Sequence, residues 1–370
     1  MTLLVNIFRR WILFLPALIL SACISTPDYP VSGGGDYVST IANFREVPWS
    51  SLPGWQEDDL REVWPAWLLS CQSLQKRTAD PLDWRFACQA AKQVNGNQNQ
   101  AIAHYFETHM KVMEIRHASG RDAGANTGLI TGYYEPYLNG SRTKGGIYQT
   151  PLHAYPKAWQ RQKPSQLPSR EKLLVSGMLD GEELVWVDDP VAAAFMQIQG
   201  SGRIRLTSGE VLRLGFAGTN EHPFQSFAQW LLNRREITRA QATMQGISEW
   251  AKKNPSRVTE MLNANPRYVF FKELPRLTNQ GPVGALGVPL SAMRSIAVDL
   301  KAVPLGAPVY LATTYPMSDK PLRRLVIAQD TGTAIVGAVR ADFYWGSGDT
   351  AGESAGRMKQ SGRMWLLMPR

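Results

Sequence analysis

The chain has 370 residues, 44% of them hydrophobic, and carries a formal net charge of +9 at pH 7. This length suffices for two domains with a sizeable core, and the hydrophobic content without low-complexity tracts excludes a disordered chain. The basic balance favours an anionic partner such as nucleic acid, phospholipid headgroups or the carboxylate-bearing peptides of a cell wall, although Lys and Arg residues this dispersed also suit an ordinary solvated surface.

The N-terminal segment predicts that the protein is exported. Arg9 and Arg10 precede ten residues of apolar character, Trp11 to Leu20. This run is too short to span a bilayer as a mature helix. Residues 1–22 therefore predict a signal peptide, and export excludes nucleic acid as a partner.

A cysteine directly follows this segment. The sequence Leu20-Ser21-Ala22-Cys23 resembles the lipobox of bacterial lipoproteins, in which the cysteine becomes the first mature residue and carries the lipid. Ile24 comes next, whereas Asp at that position is the usual sign of inner-membrane retention, so we expect the periplasmic face of the outer membrane. The alternative is an ordinary secretory signal with an accidental cysteine. Residues 23–40 would form a lipidated N-terminus and a flexible tether, because Ser25 to Gly35 is rich in Ser, Pro and Gly.

Residues from about Leu60 to His117 have a helical pattern. Cys71 and Cys88 each lie on the apolar face of a predicted helix, and Asp80-Pro81 between them combines an N-cap with a proline at the first helical position. A helical hairpin would bring the two sulfurs together. In an oxidising periplasm this arrangement predicts a disulfide, with two buried thiols as the alternative.

Most of the remaining chain predicts strands. Gly128 to Gly218 contains short alternating runs, including Phe195 to Gln199, between Gly, Pro and Thr residues. A second helical section covers Phe224 to about Asn263, and strands return from Tyr268 onward. Short irregular strands with much Gly in the last part of the chain predict a small β-barrel. The expected fold class is therefore mainly β with helices, α+β.

Two aspartates lie at predicted strand ends near the C-terminus. Asp330 follows the apolar run Leu325 to Ala328, and Asp342 is followed by Phe343-Tyr344-Trp345. Aromatic rings stack on sugars, and burial beside them keeps a carboxyl group protonated nearer neutral pH, as a general acid at a glycosidic oxygen requires. The two residues predict a carbohydrate site. The alternative is that such aspartates cap turns, which is the favoured interpretation for Asp349.

Four segments occur in a fixed order along the chain. They are Thr131-Gly132-Tyr133-Tyr134-Glu135-Pro136, Gln197-Ile198-Gln199-Gly200-Ser201-Gly202, Asn265-Pro266-Arg267-Tyr268-Val269-Phe270-Phe271 and the segment from Asp330 to Asp342. Together they resemble the motifs of the membrane-bound lytic murein transglycosylase A family. The three aspartates that name the family's C-terminal 3D domain are matched by Asp330, Asp342 and Asp349.

The resemblance implies a double-psi β-barrel domain with an inserted second, smaller β-domain and a groove between them. On this basis residues 41–135 and 266–370 would form the barrel domain with N-terminal helices, including a 3D segment of about 286–370. Residues 136–265 would form the inserted β-rich domain with trailing helices.

The resemblance also implies an enzyme that cleaves the β-1,4 bond between N-acetylmuramic acid and N-acetylglucosamine of peptidoglycan without water. The 6-hydroxyl of the sugar attacks its own anomeric carbon, so one carboxyl group serves as acid and then as base, and the product is a 1,6-anhydro sugar. By similarity Asp342 is that group. Asp330 would tune or orient it, because a neighbouring carboxylate raises the pKa of its partner.

The expected substrate contacts are the polar and aromatic residues of these motifs: Thr131, Tyr133, Tyr134, Gln199, Ser201, Trp345 and Asp349. Their hydroxyl and amide groups suit sugar hydroxyls and acetamides, and their rings suit stacking. Taken without the resemblance, Tyr133-Tyr134 is more often core and Gly200-Ser201-Gly202 is more often a turn.

No metal or cofactor is expected. His104, His109 and His117 do not have the i, i+4 spacing of ligands on one helix face. Two alternatives stay open, an inverting hydrolase with Asp342 as acid and Asp330 as base, and a non-catalytic murein-binding lipoprotein. The expected partners are peptidoglycan glycan strands and outer-membrane lipid through Cys23. Murein synthases or amidases would suit a space-making enzyme as protein partners, and a tether with an open groove favours a monomer.

Overall fold

The computed structural model describes residues 37–77, 82–275 and 280–370. The predicted signal peptide, Cys23, most of the tether and Asp80-Pro81 lie outside these ranges. Within them, none of the helices combines the length and the apolar character needed to cross a membrane.

Fourteen strands and ten α-helices form the regular structure of the described residues. The strands are β1 (Ala42–Val47), β2 (Met110–His117), β3 (Gly128–Glu135), β4 (Tyr137–Ser141), β5 (Thr150–His153), β6 (Glu183–Val187), β7 (Ser201–Leu206), β8 (Val211–Thr219), β9 (Val269–Leu274), β10 (Ser295–Val298), β11 (Pro308–Thr314), β12 (Pro321–Thr331), β13 (Ala341–Ser347) and β14 (Lys359–Pro369). The helices are α1 (Trp64–Leu74), α2 (Arg85–Ala91), α3 (Asn99–His109), α4 (Lys157–Arg161), α5 (Arg170–Val175), α6 (Pro190–Gln199), α7 (Phe227–Asn233), α8 (Met244–Lys253), α9 (Val258–Asn263) and α10 (Asp349–Arg357).

Six of the strands close into a barrel. They are hydrogen-bonded in the order β14-β11-β12-β10-β13-β3, and β3 pairs with β14 to complete the ring. The β10–β12 and β3–β13 pairs are parallel and the other four are antiparallel. β2 and β1 continue the sheet from β14 outside the ring. The mixed fold with a closed barrel, expected from the sequence, is confirmed.

The second sheet lies between β3 and β10 in the chain. Its order is β5-β6-β4-β7-β8-β9, and helices α6 to α9 share a separate apolar core that includes Leu231, Trp250 and Met261. β9 pairs with β8, so the sheet continues past residue 265, where the sequence analysis ends the inserted segment. The expected second, smaller sheet is confirmed.

The helical prediction from Leu60 to His117 is wrong in its last part. Helix α3 ends at His109, and β2 pairs with β1 on one side and with β14 on the other. Burial alternates along Met110 to Glu114, as in a strand with one covered face. Two available partner strands therefore decide the conformation of a segment whose residues also suit a helix.

The strand predicted over Phe195 to Gln199 is also wrong, because these residues end helix α6. The carboxylate of Asp189 accepts hydrogen bonds from the first backbone N–H groups of the helix, and Pro190 occupies its first turn. Gly200, with a φ of 80°, ends the helix in the left-handed conformation. The Asp189-Pro190 pair is the sequence signal for the start of this helix, and the alternating pattern of the residues that follow obscures it.

Two contacts hold the segments before β2 in place, one among themselves and one to the barrel. Cys71 in α1 and Cys88 in α2 form a disulfide, with Cα atoms 5.3 Å apart. Arg294, just before β10, donates to both carboxylate oxygens of Asp58 at 2.8 and 2.9 Å, and both side chains are 2% exposed. The backbone N–H of Leu325 also donates to Asp58, at 2.6 Å. The N-terminal segment is thus fastened to the barrel by a buried ion pair.

Candidate active site

Asp330 and Asp342 lie on the two strands that flank β10. Ala297 of β10 pairs with Asp330 of β12 and with Asp342 of β13. Residues paired across neighbouring strands project to the same face of a sheet. The two half-buried carboxyl groups therefore share one face, separated by the methyl group of Ala297.

Strand β3 supplies a hydrogen-bond donor to each carboxyl group. Thr131 is paired with Asp342, and its hydroxyl donates to Asp342 Oδ1 at 2.5 Å. The hydroxyl of Tyr133, two residues along the same face, donates to Asp330 Oδ2 at 3.1 Å. The backbone N–H of Ala285 donates to Asp330 Oδ1 at 3.0 Å. Thr131 and Tyr133, both expected at the site, are brought to the aspartates.

Burial makes both carboxyl groups easier to protonate. It raises the pKa of Asp330 to about 6, in spite of hydrogen bonds from two backbone N–H groups and from Tyr133, and the nearby charge of Asp342 adds to the rise. Burial likewise raises the pKa of Asp342 above its ordinary value, opposed by the Thr131 hydroxyl and by the positive charge of Arg340. The site can therefore hold a transferable proton closer to neutral pH than an exposed aspartate can.

A small apolar cluster accounts for this burial. It consists of Tyr133, Leu290, Ala297, Ile335 and Tyr344, each of which is less than a tenth exposed. The rings of Tyr133 and Tyr344 lie with their centroids 5.2 Å apart. The cluster excludes water from one side of the carboxyl groups, which leaves their open side to a ligand.

A second group of candidate residues lies on the opposite face of β3. The ring of Tyr134 lies against Gly352 of α10, where an added Cβ would come within 2.7 Å of the ring, and its hydroxyl donates to Met244 Sδ of α8 at 3.8 Å. The backbone N–H of Tyr134 donates to Gln199 Oε1 at 3.1 Å. Asp349 is exposed in the first turn of α10. Tyr134 thus joins the barrel to helices α6 and α8.

Two further candidates, like Tyr134, Gln199 and Asp349, are not brought to either aspartate. Trp345, expected as a platform for sugar stacking, packs on Phe343 and donates its indole N–H to Met358 Sδ at 3.3 Å. Successive residues of a strand point to opposite faces, so Trp345 lies on the core side of β13 and Asp342 on the other. Ser201 is buried at the start of β7.

The structure adds three polar residues to which the sequence analysis gave no role. Glu135 is fully buried, and its Oε2 accepts hydrogen bonds from Arg203 Nε at 2.7 Å and from Ser347 Oγ at 2.8 Å. A cavity of about 350 Å³, lined by residues of both sheets, lies beside Arg203 and Ser347. The sequence signal that could have indicated Glu135 is its spacing from Thr131 and Tyr133, because residues two apart in a strand lie on the same face.

Histidines do not converge on the aspartates. In the part of the chain that the structure describes, no three His, Cys, Asp or Glu side chains are placed to hold a metal ion. His153 lies in the second sheet with Nδ1 2.7 Å from the Tyr268 hydroxyl, and burial lowers its pKa to about 4. The chemistry that this face supports is proton transfer by carboxyl groups.

Comparison with known proteins assigns the family. The MltA specific insert domain matches residues 129–272, and the 3D domain matches residues 294–368. The solved lytic transglycosylase LtgG of Burkholderia pseudomallei is 48% identical, over 91% of this chain and 98% of that one, with a TM-score of 0.63. MltA from Neisseria gonorrhoeae is 34% identical, over 92% and 94%, with a TM-score of 0.76. The chain belongs to the membrane-bound lytic murein transglycosylase A family.

A relative from Escherichia coli strain K12, named membrane-bound lytic murein transglycosylase A, is 33% identical over 248 residues. That match covers 64% of this chain, and the chain spans 65% of the length of the relative. In this member of the lytic murein transglycosylase A family, Asp330 and Asp342 fall within the match to the 3D domain. Thr131, Tyr133 and Glu135 fall within the match to the insert domain, although β3 belongs to the barrel.

Proposed function

We propose that the protein is a peptidoglycan lytic transglycosylase, in which Asp342 acts first as acid and then as base. It would cleave the β-1,4 bond between N-acetylmuramic acid and N-acetylglucosamine and leave 1,6-anhydromuramic acid ends. The observation that carries the proposal is the environment of Asp342, a half-buried carboxyl group whose pKa is raised by burial and whose Oδ1 is held by Thr131.

The first step is protonation of the leaving oxygen. Because Oδ1 accepts the hydrogen bond from the Thr131 hydroxyl, the transferable proton of Asp342 resides on Oδ2. That proton passes to the glycosidic oxygen as the bond to the anomeric carbon breaks, and positive charge develops on the muramic acid ring. The product of this step is a carboxylate at Asp342, which the Thr131 hydroxyl stabilises.

The second step returns the proton. The 6-hydroxyl of the muramic acid attacks the anomeric carbon of the same sugar, and the carboxylate of Asp342 accepts the hydroxyl proton. One bond to the anomeric carbon breaks, one forms, and Asp342 is protonated again, so no water is consumed. Asp330 would act through its charge, because a carboxylate nearby disfavours ionisation of Asp342 and helps it to keep its proton.

Other residues would contact the glycan strand away from the reacting bond. Tyr134, Gln199 and Asp349 lie where the barrel meets the second sheet, and they carry hydroxyl, amide and carboxylate groups suited to sugar hydroxyls and acetamides. Trp345 is left out of this proposal because it packs on the core side of β13. Ser201 is kept as a proposed glycan contact only because it follows Gln199 by two residues in the same motif.

Mass spectrometry of the muropeptides released from purified murein sacculi tests the activity. A soluble form that starts after Cys23 should release products lighter by one water than those of a hydrolase, and Asp342→Asn should release none while still binding sacculi. Asp122→Asn, in an exposed turn, is the matched control and should act like the wild type. Wild-type activity in Asp342→Asn would refute the assignment of this residue.

One observation favours a second candidate, an inverting hydrolase. Asp330 and Asp342 lie two strands apart across β10, which is about 10 Å at the backbone. Inverting hydrolases hold their carboxyl groups about 6.5–9.5 Å apart with a water between them. Hydrated reducing ends in the same experiment would support this candidate and make Asp330 the base. A wild type that binds sacculi but releases nothing would instead support a murein-binding lipoprotein.

We also propose that Cys23 is the lipid attachment site, after removal of a signal peptide at residues 1–22, and that the protein resides on the periplasmic face of the outer membrane. The lipobox-like sequence before Cys23 supports this proposal, as does the word membrane-bound in the name of the Escherichia coli relative. Labelling with a radioactive fatty acid should mark the wild type and not Cys23→Ala. A labelled Cys23→Ala would contradict the proposal.

Peptidoglycan synthases and amidases are proposed as protein partners, since an enzyme that opens the wall must act with others that extend or trim it.

We propose a monomer, because a tethered enzyme with an open groove needs no second copy. Light scattering of the soluble form tests this, and a dimer mass would contradict it.

A further inference from the structure

Three polar side chains on one face of β3 contact three different parts of the molecule. Thr131 donates to Asp342 at 2.5 Å and Tyr133 donates to Asp330 at 3.1 Å. Glu135 accepts from Arg203 of β7 at 2.7 Å. These residues are two apart, as the alternation of a strand requires for a shared face. One short strand therefore holds both carboxyl groups and also the second sheet.

The Glu135–Arg203 ion pair is the buried end of this arrangement. The side chains of Glu135 and Arg203 are 0% and 10% exposed. Arg203 also donates to the Tyr137 hydroxyl at 3.1 Å and to the Gln280 carbonyl at 2.8 Å, and its backbone N–H donates to the Pro136 carbonyl at 2.8 Å. Burial lowers the pKa of Arg203, but the carboxylate of Glu135 more than offsets this and holds it above its ordinary value. A pair with this many fixed contacts is rigid.

A β-bulge brings the barrel to the same point. The register between β13 and β3 shifts between Tyr344 and Ser347, and Gly346 within the bulge has a φ of 106°. This backbone conformation favours glycine. The shift turns the Ser347 hydroxyl onto Glu135 at 2.8 Å, and Tyr344, on the near side of the bulge, packs its ring on Tyr133. Glu135 thus joins β3, β7 and β13.

We propose that Glu135 is a positioning residue for the reaction: its ion pair with Arg203 fixes β3 so that Thr131 and Tyr133 stay within hydrogen-bonding distance of the two aspartates. This inference rests on the proposed function. It adds a residue that does not touch the reacting atoms, and it makes the second sheet a support for the barrel residues that do the chemistry.

Both contacts from β3 to the aspartates depend steeply on distance. A hydrogen bond of 2.5 Å to Asp342 is lost when β3 moves by about 1 Å, and displacements of that size cost on the order of 100-fold in rate when they misplace a catalytic group. The same movement removes the hydrogen bonds by which Tyr133 and Thr131 lower the pKa of Asp330 and of Asp342. A positioning role therefore predicts a change in pH dependence, which a purely structural role does not.

Kinetics of the Glu135→Gln variant test the proposal. We expect kcat to fall by on the order of tenfold or more, with KM changed less than about twofold because sugar contacts elsewhere persist. Weaker donation to Asp342 raises the pKa of the acid, so the alkaline side of the pH–rate profile should move to higher pH. The matched control is Glu273→Gln, which breaks the half-exposed ion pair with Arg142 in the second sheet and should leave kcat and the profile unchanged.

Ser347→Ala keeps the ion pair and removes one donor to Glu135, so it provides the same test if Glu135→Gln does not fold. It should show a smaller loss of kcat and a shift of the profile in the same direction. Wild-type kcat and pH profile in a folded Glu135→Gln, or in Ser347→Ala when the former is unfolded, would overturn the inference while leaving the proposed function intact. Absence of anhydro products from the wild type and from Glu273→Gln would refute the proposed function, and this inference with it.

Discussion

Replacement of Asp330 by asparagine should stabilise the folded protein at neutral pH and not at acid pH. The pKa of Asp330 is raised from 3.8 to about 6 by burial, so the folded state binds its proton more tightly than the unfolded state does. Asp330 therefore contributes full stability below about pH 4 and loses that contribution as the pH rises through about 6. Above that pH the wild type carries a half-buried carboxylate that costs free energy.

The size of the effect follows from the difference between the two pKa values. Roughly two pH units at about 1.4 kcal/mol each give about 3 kcal/mol as the upper limit. The substitution also changes hydrogen bonds, because Asp330 accepts from the Ala285 N–H and the Tyr133 hydroxyl. An amide oxygen can still accept from Ala285, and the Tyr133 hydroxyl can rotate to accept from the amide N–H. We expect a net gain of about 1–3 kcal/mol.

Urea unfolding of the soluble form at about pH 7.5 and about pH 4 measures this gain. Asp330→Asn should unfold at higher urea than the wild type in the first condition and at the same urea in the second. The matched control is again Asp122→Asn, at an exposed position, which should leave the difference from the wild type independent of pH. A gain for Asp330→Asn that is equal at both pH values, or a loss at about pH 7.5, would show that burial does not raise this pKa.

Three further predictions concern stability and strand geometry. Arg294→Met should lower the free energy of unfolding by about 3–5 kcal/mol, because it leaves the buried carboxylate of Asp58 without its cation. The control Arg61→Met removes an exposed pair and should cost less than about 1 kcal/mol. Equal urea midpoints for the two variants would contradict this prediction. Reduction of the Cys71–Cys88 disulfide, which joins residues 17 apart in sequence, should lower the free energy of unfolding by about 3 kcal/mol. A urea midpoint that dithiothreitol leaves unchanged would contradict this stabilisation. Gly346→Ala should cost about 1–3 kcal/mol, because the residue has a φ of 106°, and should slow muropeptide release; unchanged rate and midpoint would show that the bulge tolerates a side chain.

Local patterns were enough to predict the position of the two aspartates along the chain but not their surroundings. Asp330 and Asp342 could be placed at strand ends because apolar runs and aromatic residues adjoin them. Their common neighbour Ala297 could not be found this way, since it depends on one parallel and one antiparallel pairing of β10. Parallel partners are distant in sequence and leave no turn signal between them.

The residues whose structure or role could not be predicted have a related cause. Met110 to His117 suits a helix until β14, far along the chain, is available as a partner. Trp345 has a stacking ring beside Asp342 in sequence, but the pleat of β13 turns it to the core. Glu135 lies inside a segment whose resemblance to the family was recognised, yet its role depends on Arg203, which only the packing of two sheets brings near. In each case the local sequence carries no information about contacts between residues that are distant along the chain.

The position of the second sheet between β3 and β10 has a consequence for the order of folding. Strand β14 pairs with β2, β3 and β11, so the barrel cannot close until nearly all of the chain described here has been synthesised. Pairings this distant in sequence form slowly. Strands β4 to β9 belong to one continuous stretch of chain and can assemble first, while β1 to β3 wait with unpaired edges. The unpaired edges of β2 and β3 stay open to pairing with other chains until the last strand arrives, so late closure of the barrel exposes this fold to aggregation while it forms.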